Sequence, residues 1–597
     1  MFLRHNKRLK DGKEHRYWSV VENRRISSKR TVQKTLLYLG EINDSERASW
    51  TRAIEAIDEN NLAHQINLFP EDRVPDPSLK APSLQLRLSH IELTRPRQWG
   101  GCWLALELWD RLNLDDYWQA RLGLSRRGTP WLKVLKALVV YRLLAPGSEW
   151  HLHCYWYDKS ALADLLEDNF RLAAKDTLYR CHDHLLAHKA GLFTHLKERW
   201  AQLFDAHYDV LLYDLTSTYF EVDANGPIAE ASALKAFGYS RDKRSDCLQL
   251  VIALVITPEG LPIAYELMRG NTSDKTTLHD MLEKITTQYG KARRTWIMDR
   301  GIPTEEVLEE MRTSEPAVSY LVGTPKSRLT KLEKELAERD WNHVKDDVTV
   351  KLLPKDDELY VLARSLPRRA KESAMRKRKL KAYWQRLKEL QSRENITRDQ
   401  LLLKIGAAKQ KAGRSAHRLV DLHLPAAHTK PDATTFRFEL NREKLRITRR
   451  REGQYLLRSN LTGEDPAVLW QSYMNLVRIE ESFRTLKSDL NLRPIHHQLD
   501  RRIEAHILIS FLAYCLSITL EQYNKRAATG LSARSVLARF SEIQMLDVTI
   551  PSTDGRELRM KRYTKPEKVH RLLLNQLNFT LPDQPPPEIH YREKPIN

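Results

Sequence analysis

Apolar residues between positions 97 and 205 recur at intervals of three and four, as in the segment WLKVLKALVVYRLL. This spacing places them on one face of a helix and predicts a domain of packed amphipathic helices. From residue 208 onward the apolar runs are shorter and end at turn residues or acids. They predict three strands, a helix, a strand, a helix and a fifth strand, at residues 208–214, 248–256, 261–268, 276–289, 295–299, 304–311 and 318–322.

Residues 330–458 interrupt this order with two strand-prone patches around a very basic helical middle. Helices at about 466–490 and 502–523 then continue it. The sequence therefore predicts a multidomain α/β protein. Its parts are a small basic β module (1–69), a proline-rich linker (70–96), a helical domain (97–205), a sheet core (206–329 and 459–545), an insertion (330–458) and a C-terminal tail (546–597).

The charge balance narrows the choice of partner, because 98 Lys and Arg against 78 Asp and Glu leave a net charge of +20. The basic residues form separate clusters, and this favours nucleic acid over a membrane surface. The apolar run Ile507–Leu520 is short for a membrane span and predicts a buried helix. Five scattered cysteines and the absence of a secretory signal indicate a reduced, intracellular protein.

Two aspartates end separate predicted strands, Asp214 in LLYDLTSTYF and Asp299 in WIMDRGIP. If the strands are neighbours in one sheet, both carboxylates emerge at one edge. The later helix YMNLVRIEESFRTLK offers a third acid, Glu480 or Glu481. Three converging carboxylates are suited to two hard divalent cations and to phosphodiester displacement. The alternative is that each acid caps a turn or pairs with a lysine.

The order of elements and the identity of these acids together resemble the DDE transposases of bacterial insertion sequences. The resemblance is to the subgroup with a Tyr-x2-Arg-x3-Glu-x6-Lys signature, which Tyr473, Glu480 and Lys487 match in spacing. Its other motifs match Asp214-Leu215-Thr216 and Asp299-Arg300-Gly301. Further stretches that resemble the family are GYSRDKRSD (238–246), GNTSD (270–274) and YLVGTPKSRL (320–329).

The resemblance implies a ribonuclease-H-like core with a mixed five-stranded sheet and a large insertion. It implies that Asp214, Asp299 and Glu480 hold two Mg²⁺ or Mn²⁺ ions. Double-stranded DNA, as terminal inverted repeats and target, is the implied partner, with a homodimer in the DNA complex and a place in the bacterial cytoplasm at the nucleoid. The residues that we expect to bind DNA phosphate are Tyr473, Arg484, Lys487 and Arg300.

One position departs from the signature, because Leu476 stands where its arginine is expected. On a regular helix Arg484 lies about 40° from Glu480, whereas Arg478 lies on the opposite side. We therefore expect Arg484 to supply the missing guanidinium. The Tyr and Lys spacings favour Glu480 over Glu481 as the third ligand, and Glu481 suits a salt bridge.

Residues 368–388 carry ten basic residues and a single acid. We expect this cluster to form a DNA surface with Arg376, Lys377, Arg378 and Lys379 at its centre. The N-terminal module and the helical domain are further candidates for binding the terminal repeats. The histidines between 151 and 188 have no paired zinc spacing and are expected to be core or surface residues.

The predicted function is that of a transposase that cleaves the ends of its element and joins the 3′-OH ends to target DNA. The same site chemistry would serve a plain divalent-metal nuclease. A non-catalytic DNA-binding remnant, acting as a repressor or an architectural factor, is the alternative from another class.

Overall fold

The structure is a computed structural model of the 597-residue chain. It describes residues 1–10, 13–27, 30–59, 85–123, 128–221, 232–273, 277–299, 302–324, 326–345, 347–393, 396–427, 429–432 and 434–591.

The N-terminal segment forms an antiparallel three-stranded sheet followed by a helix. The elements are β1 (Phe2–Lys10), β2 (Lys13–Ser27), β3 (Arg30–Gly40) and α1 (Asp44–Glu59). Trp50 of α1 is fully buried, and its indole N–H donates to the carbonyl oxygen of Thr529. The predicted β structure is confirmed, and the module packs on the C-terminal part of the chain.

Strand β4 (Glu92–Gln98) leads into the helical region that the three- and four-residue spacing predicts. Its helices are α2 (Gly100–Arg111), α3 (Leu114–Gln119), α4 (Trp131–Leu144), α5 (Glu149–His151), α6 (Leu162–Leu165), α7 (Lys175–His182) and α8 (Lys189–Phe204). Ten of the fourteen residues of α4 are buried. A helix that is apolar nearly all round lies inside a protein, and α4 forms the centre of this region.

The five strands predicted from residue 208 onward are present as neighbours. They are β5 (Val210–Tyr219), β6 (Gln249–Ile256), β7 (Pro262–Arg269), β8 (Thr295–Met298) and β9 (Ser319–Gly323), with helices α9 (Thr277–Tyr289) and α10 (Glu305–Thr313) between them. All eight residues of β6 are buried. Because both of its faces are covered, the sheet lies at the centre of the core.

The sheet is larger than the five strands predicted. Strands of the insertion extend it beyond β9, in the order β10-β11-β12-β15-β9-β8-β5-β6-β7. The insertion contains α11 (Lys326–Ala337), β10 (Asn342–Lys345), β11 (Val348–Lys355), β12 (Glu358–Ser365), α12 (Leu366–Gln391), α13 (Arg398–Ala412), α14 (Arg414–His417), β13 (Val420–His423), β14 (Arg437–Leu440), α15 (Arg442–Arg451) and β15 (Gln454–Ser459). Strand β15 pairs with the edge of β9, an edge that would otherwise expose unpaired backbone groups.

The second strand-prone patch of the insertion is only partly a strand. Its first residues form β14, and the rest form α15. Asn441 explains the change, because its side chain accepts a hydrogen bond from the Lys444 amide and caps the helix.

After the insertion the chain forms α16 (Pro466–Met474), α17 (Leu476–Arg484), a π-helical turn (Thr485–Asp489), α18 (Asp500–Arg526) and α19 (Ala533–Phe540). Helix α18 has the length and composition to cross a membrane, but 89% of its apolar window is buried inside the protein. The prediction of a buried core helix is confirmed. The Tyr514 hydroxyl lies 2.8 Å from the Gly260 carbonyl oxygen and 2.7 Å from Ser482 Oγ, and so joins α17 to the sheet.

Two domain predictions differ from the structure. The linker predicted at 70–96 ends in a strand, and the tail predicted at 546–597 contains strands and a helix. The last residues of the linker form β4, which pairs with β16 (Gln544–Pro551), and β17 (Arg556–Tyr563) and β18 (Glu588–Tyr591) complete a four-stranded sheet. Helix α20 (Lys568–Leu577) lies between the last two strands. The sequence of β4, ELTRPRQ, is polar and contains proline. Nothing nearby in the sequence marks this segment as a strand, because the strand that pairs with it lies some 450 residues away.

Candidate active site

Asp214 and Asp299 lie side by side on adjacent parallel strands. The last registered pair of β5 and β8 is Tyr213 with Met298, and the two aspartates are the next residue on each strand. Residues in register on parallel strands face the same side of a sheet, with the strands about 4.8 Å apart. The two carboxylates therefore emerge together.

The two aspartates differ in exposure because only one strand ends there. Strand β8 ends at Met298, and Asp299 is exposed. Strand β5 was predicted to end at Asp214 but continues to Tyr219, paired with β6, because LTSTY is rich in strand-forming residues. Asp214 is half-buried, and its Oδ1 accepts a hydrogen bond of 2.8 Å from the Leu215 amide.

Helix α17 brings a third acid to this edge. It packs against β5 and buries Ile479 and Phe483, which leaves Glu480 exposed. Glu480 lines a cavity of about 280 Å³ together with Asp214 and Asp299. Glu481 lines a different cavity and forms a 3.0 Å salt bridge with Arg478. The geometry thus brings Glu480, and not Glu481, to the aspartates.

Further polar side chains line the acidic cavity, among them Tyr473 and Arg368. The Tyr473 hydroxyl, at the end of α16, lies 3.5 Å from Asp299 Oδ1. Arg368, near the start of α12, has its guanidinium 3.8 Å from the ring centre of Tyr455 and donates to Glu372 at 2.9 Å. Sequence reasoning placed Arg368 in the basic cluster but missed its position beside the acids. No local signal reveals it, because α12 is far from the acids in sequence.

Lys487 does not line the acidic cavity. It lies in the π-helical turn, where it is nearly buried and its Nζ is 3.1 Å from Asp242 Oδ1. Arg493 also pairs with this carboxylate. Burial lowers the pKa of Lys487. Burial alone would raise the pKa of Asp242, but the hydrogen bonds from Arg493 and Lys487 lower it.

Arg484 also lies away from the acids. It is exposed and lines the cavity of about 820 Å³ that contains Glu481 and Arg478. Although Arg484 shares a helix face with Glu480, it lies about 6 Å farther along the helix axis. Arg300, the remaining predicted phosphate ligand, lies outside the described residues.

Comparison with known families now adds to this geometry. Residues 217–516 match the family described as the transposase DDE domain. The chain belongs to the DDE transposase family. Residues 3–65 match the N-terminal domain of the IS1634 family of transposases. The DDE match contains Asp299, Tyr473 and Glu480 and begins three residues after Asp214.

Other comparisons add little to the family assignment. One solved structure, "Cryo-EM structure of piggyBac transposase synaptic complex with hairpin DNA (SNHP)", shows 9% identity and a TM-score of 0.34. The similarity covers 73% of this chain and 76% of that one. A likeness this weak does not define the fold. No curated protein matches this chain.

The donor set of the acidic cavity suits the divalent metals that the family typically uses. Asp214, Asp299 and Glu480 offer only oxygen ligands, which hard cations prefer. Their oxygens do not all lie within 4.8 Å of one another. Within the described residues, a separate histidine-rich cluster is the only group of such side chains that meets this condition. Two ions about 3.5–4 Å apart can be held by oxygens that are more widely separated, since ligands of different ions lie up to about 8 Å apart.

The basic cluster on α12 is less uniform than predicted. Arg376 was predicted on the DNA surface, but it is buried and paired with Glu452, with Nε 2.5 Å from Oε1. Its position in the helix explains this, because Tyr383, Leu387 and Leu390 continue the same buried face. Lys377 and Arg378 are exposed and Lys379 is half-buried, so these three keep cationic groups within reach of solvent.

Proposed function

We propose that this transposase uses Asp214, Asp299 and Glu480 as ligands of two Mg²⁺ or Mn²⁺ ions to cleave the ends of its element and to join the freed 3′-OH ends to target DNA. The observation that carries the proposal is the convergence of the three acids on one cavity from positions up to 266 residues apart (480 − 214) in the chain. We further propose that the core is ribonuclease-H-like. The protein would belong to the subgroup with the Tyr-x2-Arg-x3-Glu-x6-Lys signature, from which it departs at Leu476.

The residues around the acids then have distinct roles. Bound cations would lower the pKa of a water nucleophile and stabilise charge on the scissile phosphate. The Tyr473 hydroxyl, 3.5 Å from Asp299 Oδ1, orients that carboxylate. Arg368 places a guanidinium beside the acids, where it binds phosphate. We retain direct phosphate binding by Arg484, Lys487 and Arg300 as a prediction, in which Lys487 would have to exchange Asp242 for DNA.

Surfaces outside the acidic cavity hold the DNA on either side of the scissile phosphate. Exposed Lys377 and Arg378, with Lys379, would bind the phosphate backbone of the terminal inverted repeats or the target. The three-stranded N-terminal sheet and the helical region would contribute to repeat binding. Because two ends must be joined, we propose a homodimer in the DNA complex, acting in the bacterial cytoplasm at the nucleoid.

The test uses the full chain with its flanking inverted repeats as substrate. We expect Mg²⁺-dependent nicking of the ends and joining of a pre-cut 3′-OH end to a target plasmid, with both activities lost in EDTA and in Asp299→Asn. Cleavage without joining would identify a divalent-metal nuclease. Specific binding without either activity would identify a non-catalytic remnant, and activity that survives Asp299→Asn would refute the site.

The DNA surface on α12 predicts a change in salt dependence. We expect Lys377→Ala/Arg378→Ala to lower the slope of log Kd against log salt concentration by about 2, because two phosphate contacts are lost. The charge-preserving swap Lys377→Arg/Arg378→Lys should keep the slope. Fluorescence anisotropy with labelled repeat DNA at several salt concentrations measures both, and an unchanged slope in the alanine variant would place the DNA elsewhere.

A further inference from the structure

A second group of ligand-type side chains lies buried outside the acidic cavity. Its members come from four separate segments: Glu149 at the start of α5, His182 at the end of α7, His497 between the π-helical turn and α18, and His506 in α18. Each is at most 7% exposed. One ligand atom from each residue can be chosen so that all four lie within 4.8 Å of one another.

The three distances from Glu149 to the histidines are close to those between the ligands of a tetrahedral metal site. Glu149 Oε1 lies 3.3 Å from His182 Nε2, 3.3 Å from His497 Nε2 and 3.8 Å from His506 Nδ1. Four ligands bound to Zn²⁺ at about 2.0–2.2 Å are separated by roughly 3.4 Å along each edge of the tetrahedron. The side chains are therefore spaced to share one ion without a large rearrangement.

The environment of His182 points independently to a cation. Its Nδ1 lies 3.1 Å from the Leu178 carbonyl oxygen, and this contact assigns the ring proton to Nδ1. The other ring nitrogen, Nε2, is buried and faces the Glu149 carboxylate, with Nε2 3.3 Å from Oε1, but the contact lacks good hydrogen-bond geometry. A neutral ring would direct the Nε2 lone pair at the anion, so the contact requires either a second ring proton or a metal ion between the two groups. A backbone carbonyl on the outer ring nitrogen is also the usual support of a metal-bound histidine.

Arg142 limits which cation fits. Its buried guanidinium forms a long hydrogen bond of 3.4 Å with His506 Nδ1, which an ion bound at Nδ1 would replace, and it adds a positive charge beside the cluster. A hard cation such as Mg²⁺ needs several anionic oxygens and would find only one carboxylate here. Imidazole nitrogens instead form strong bonds with Zn²⁺ and similar transition metals, which tolerate fewer anionic ligands.

We propose that Glu149, His182, His497 and His506 form a structural site for one divalent transition metal, with Zn²⁺ as the preferred ion. The site joins α5 and α7 of the helical region to the segment that follows the helix carrying Glu480. A neighbouring ion pair ties the same elements together, since Arg502 Nη2 of α18 lies 3.0 Å from Asp183 Oδ2. The metal would thus fix the helical region relative to the catalytic helix.

The first test measures metal content in the full chain, purified without a histidine tag. We expect about one zinc per chain and, after replacement by Co²⁺, the strong visible absorption of a tetrahedral cobalt site. His182→Gln and His497→Gln should each weaken zinc binding at least about 100-fold in a competition titration with a chromogenic chelator. His195→Gln is the matched control, because His195 bonds to the Leu112 carbonyl oxygen outside the cluster.

A second set of variants separates this site from the proposed catalytic ions. Asp299→Asn and Glu480→Gln should retain the zinc, whereas a loss of zinc in these variants would assign it to the acidic cavity and overturn the proposal. Equal zinc binding by the wild type and both histidine variants would do the same. If the histidine variants do not fold, X-ray absorption of the zinc-loaded wild type decides, because a first shell with three histidine nitrogens supports the site and one with fewer refutes it.

Discussion

Glu480→Gln is expected to lower the rate of DNA strand cleavage by about a thousandfold, whereas Glu481→Gln should stay within about fivefold of the wild type. Glu480 lines the cavity with both aspartates, so the substitution removes a negative charge from it with little change in side-chain volume. Glu481 forms a half-exposed salt bridge with Arg478, and pairs of this kind contribute little. The two variants differ by one position on the same helix.

The measurement is single-turnover cleavage of labelled repeat DNA, with binding affinity determined in parallel. Repeat binding should be retained in both variants, because neither position belongs to the basic surface of α12. Partial recovery of Glu480→Gln by Mn²⁺ would support a ligand role, since Mn²⁺ tolerates weaker oxygen donors. The reverse result, a loss in Glu481→Gln alone, would show that the third ligand has been assigned to the wrong glutamate.

The elements around this site were predictable because they are determined by local pattern. Short apolar runs indicated the five central strands, and the placement of Asp214 and Asp299 at one edge followed from the parallel order of β5 and β8. The choice of Glu480 rested on the spacing of Tyr473 and Lys487, and Tyr473 does share the cavity. Periodicity and motif spacing are properties of the sequence itself.

Positions that depend on distant partners were not predictable. Arg376 lies among the basic residues of α12, yet Glu452, 76 residues away, holds it in a buried pair. Lys487 follows the signature spacing, but it lies in the π-helical turn, and its ammonium group donates a hydrogen bond to Asp242. A helical wheel assumes a regular helix, and the break between α16 and α17 and this turn both depart from one.

Arg97→Ala is expected to destabilise the C-terminal sheet by about 3 kcal/mol, whereas Arg95→Ala should cost less than about 1 kcal/mol. The Arg97 side chain is 1% exposed and contacts two carboxylates, with Nε 2.9 Å from Asp164 Oδ2 and Nη2 2.7 Å from Asp547 Oδ1. Removing it leaves two partly buried anions with fewer cations. The Arg95 side chain is 59% exposed and makes one ion pair, at 3.3 Å, with the same Asp547.

The loss should be at the lower end of the range for a broken buried pair, which is about 3–5 kcal/mol, because each carboxylate keeps one cation. Lys561 stays 2.8 Å from Asp164, and Arg95 stays with Asp547. Hydrogen exchange resolved to β4 and β16 measures the local free energy of opening, which a global melt of a multidomain chain does not isolate. Equal exchange in the two variants would mean that β4 is held by its backbone ladder alone. Faster exchange only in Arg97→Ala would show that one buried arginine fastens this polar strand to the C-terminal sheet.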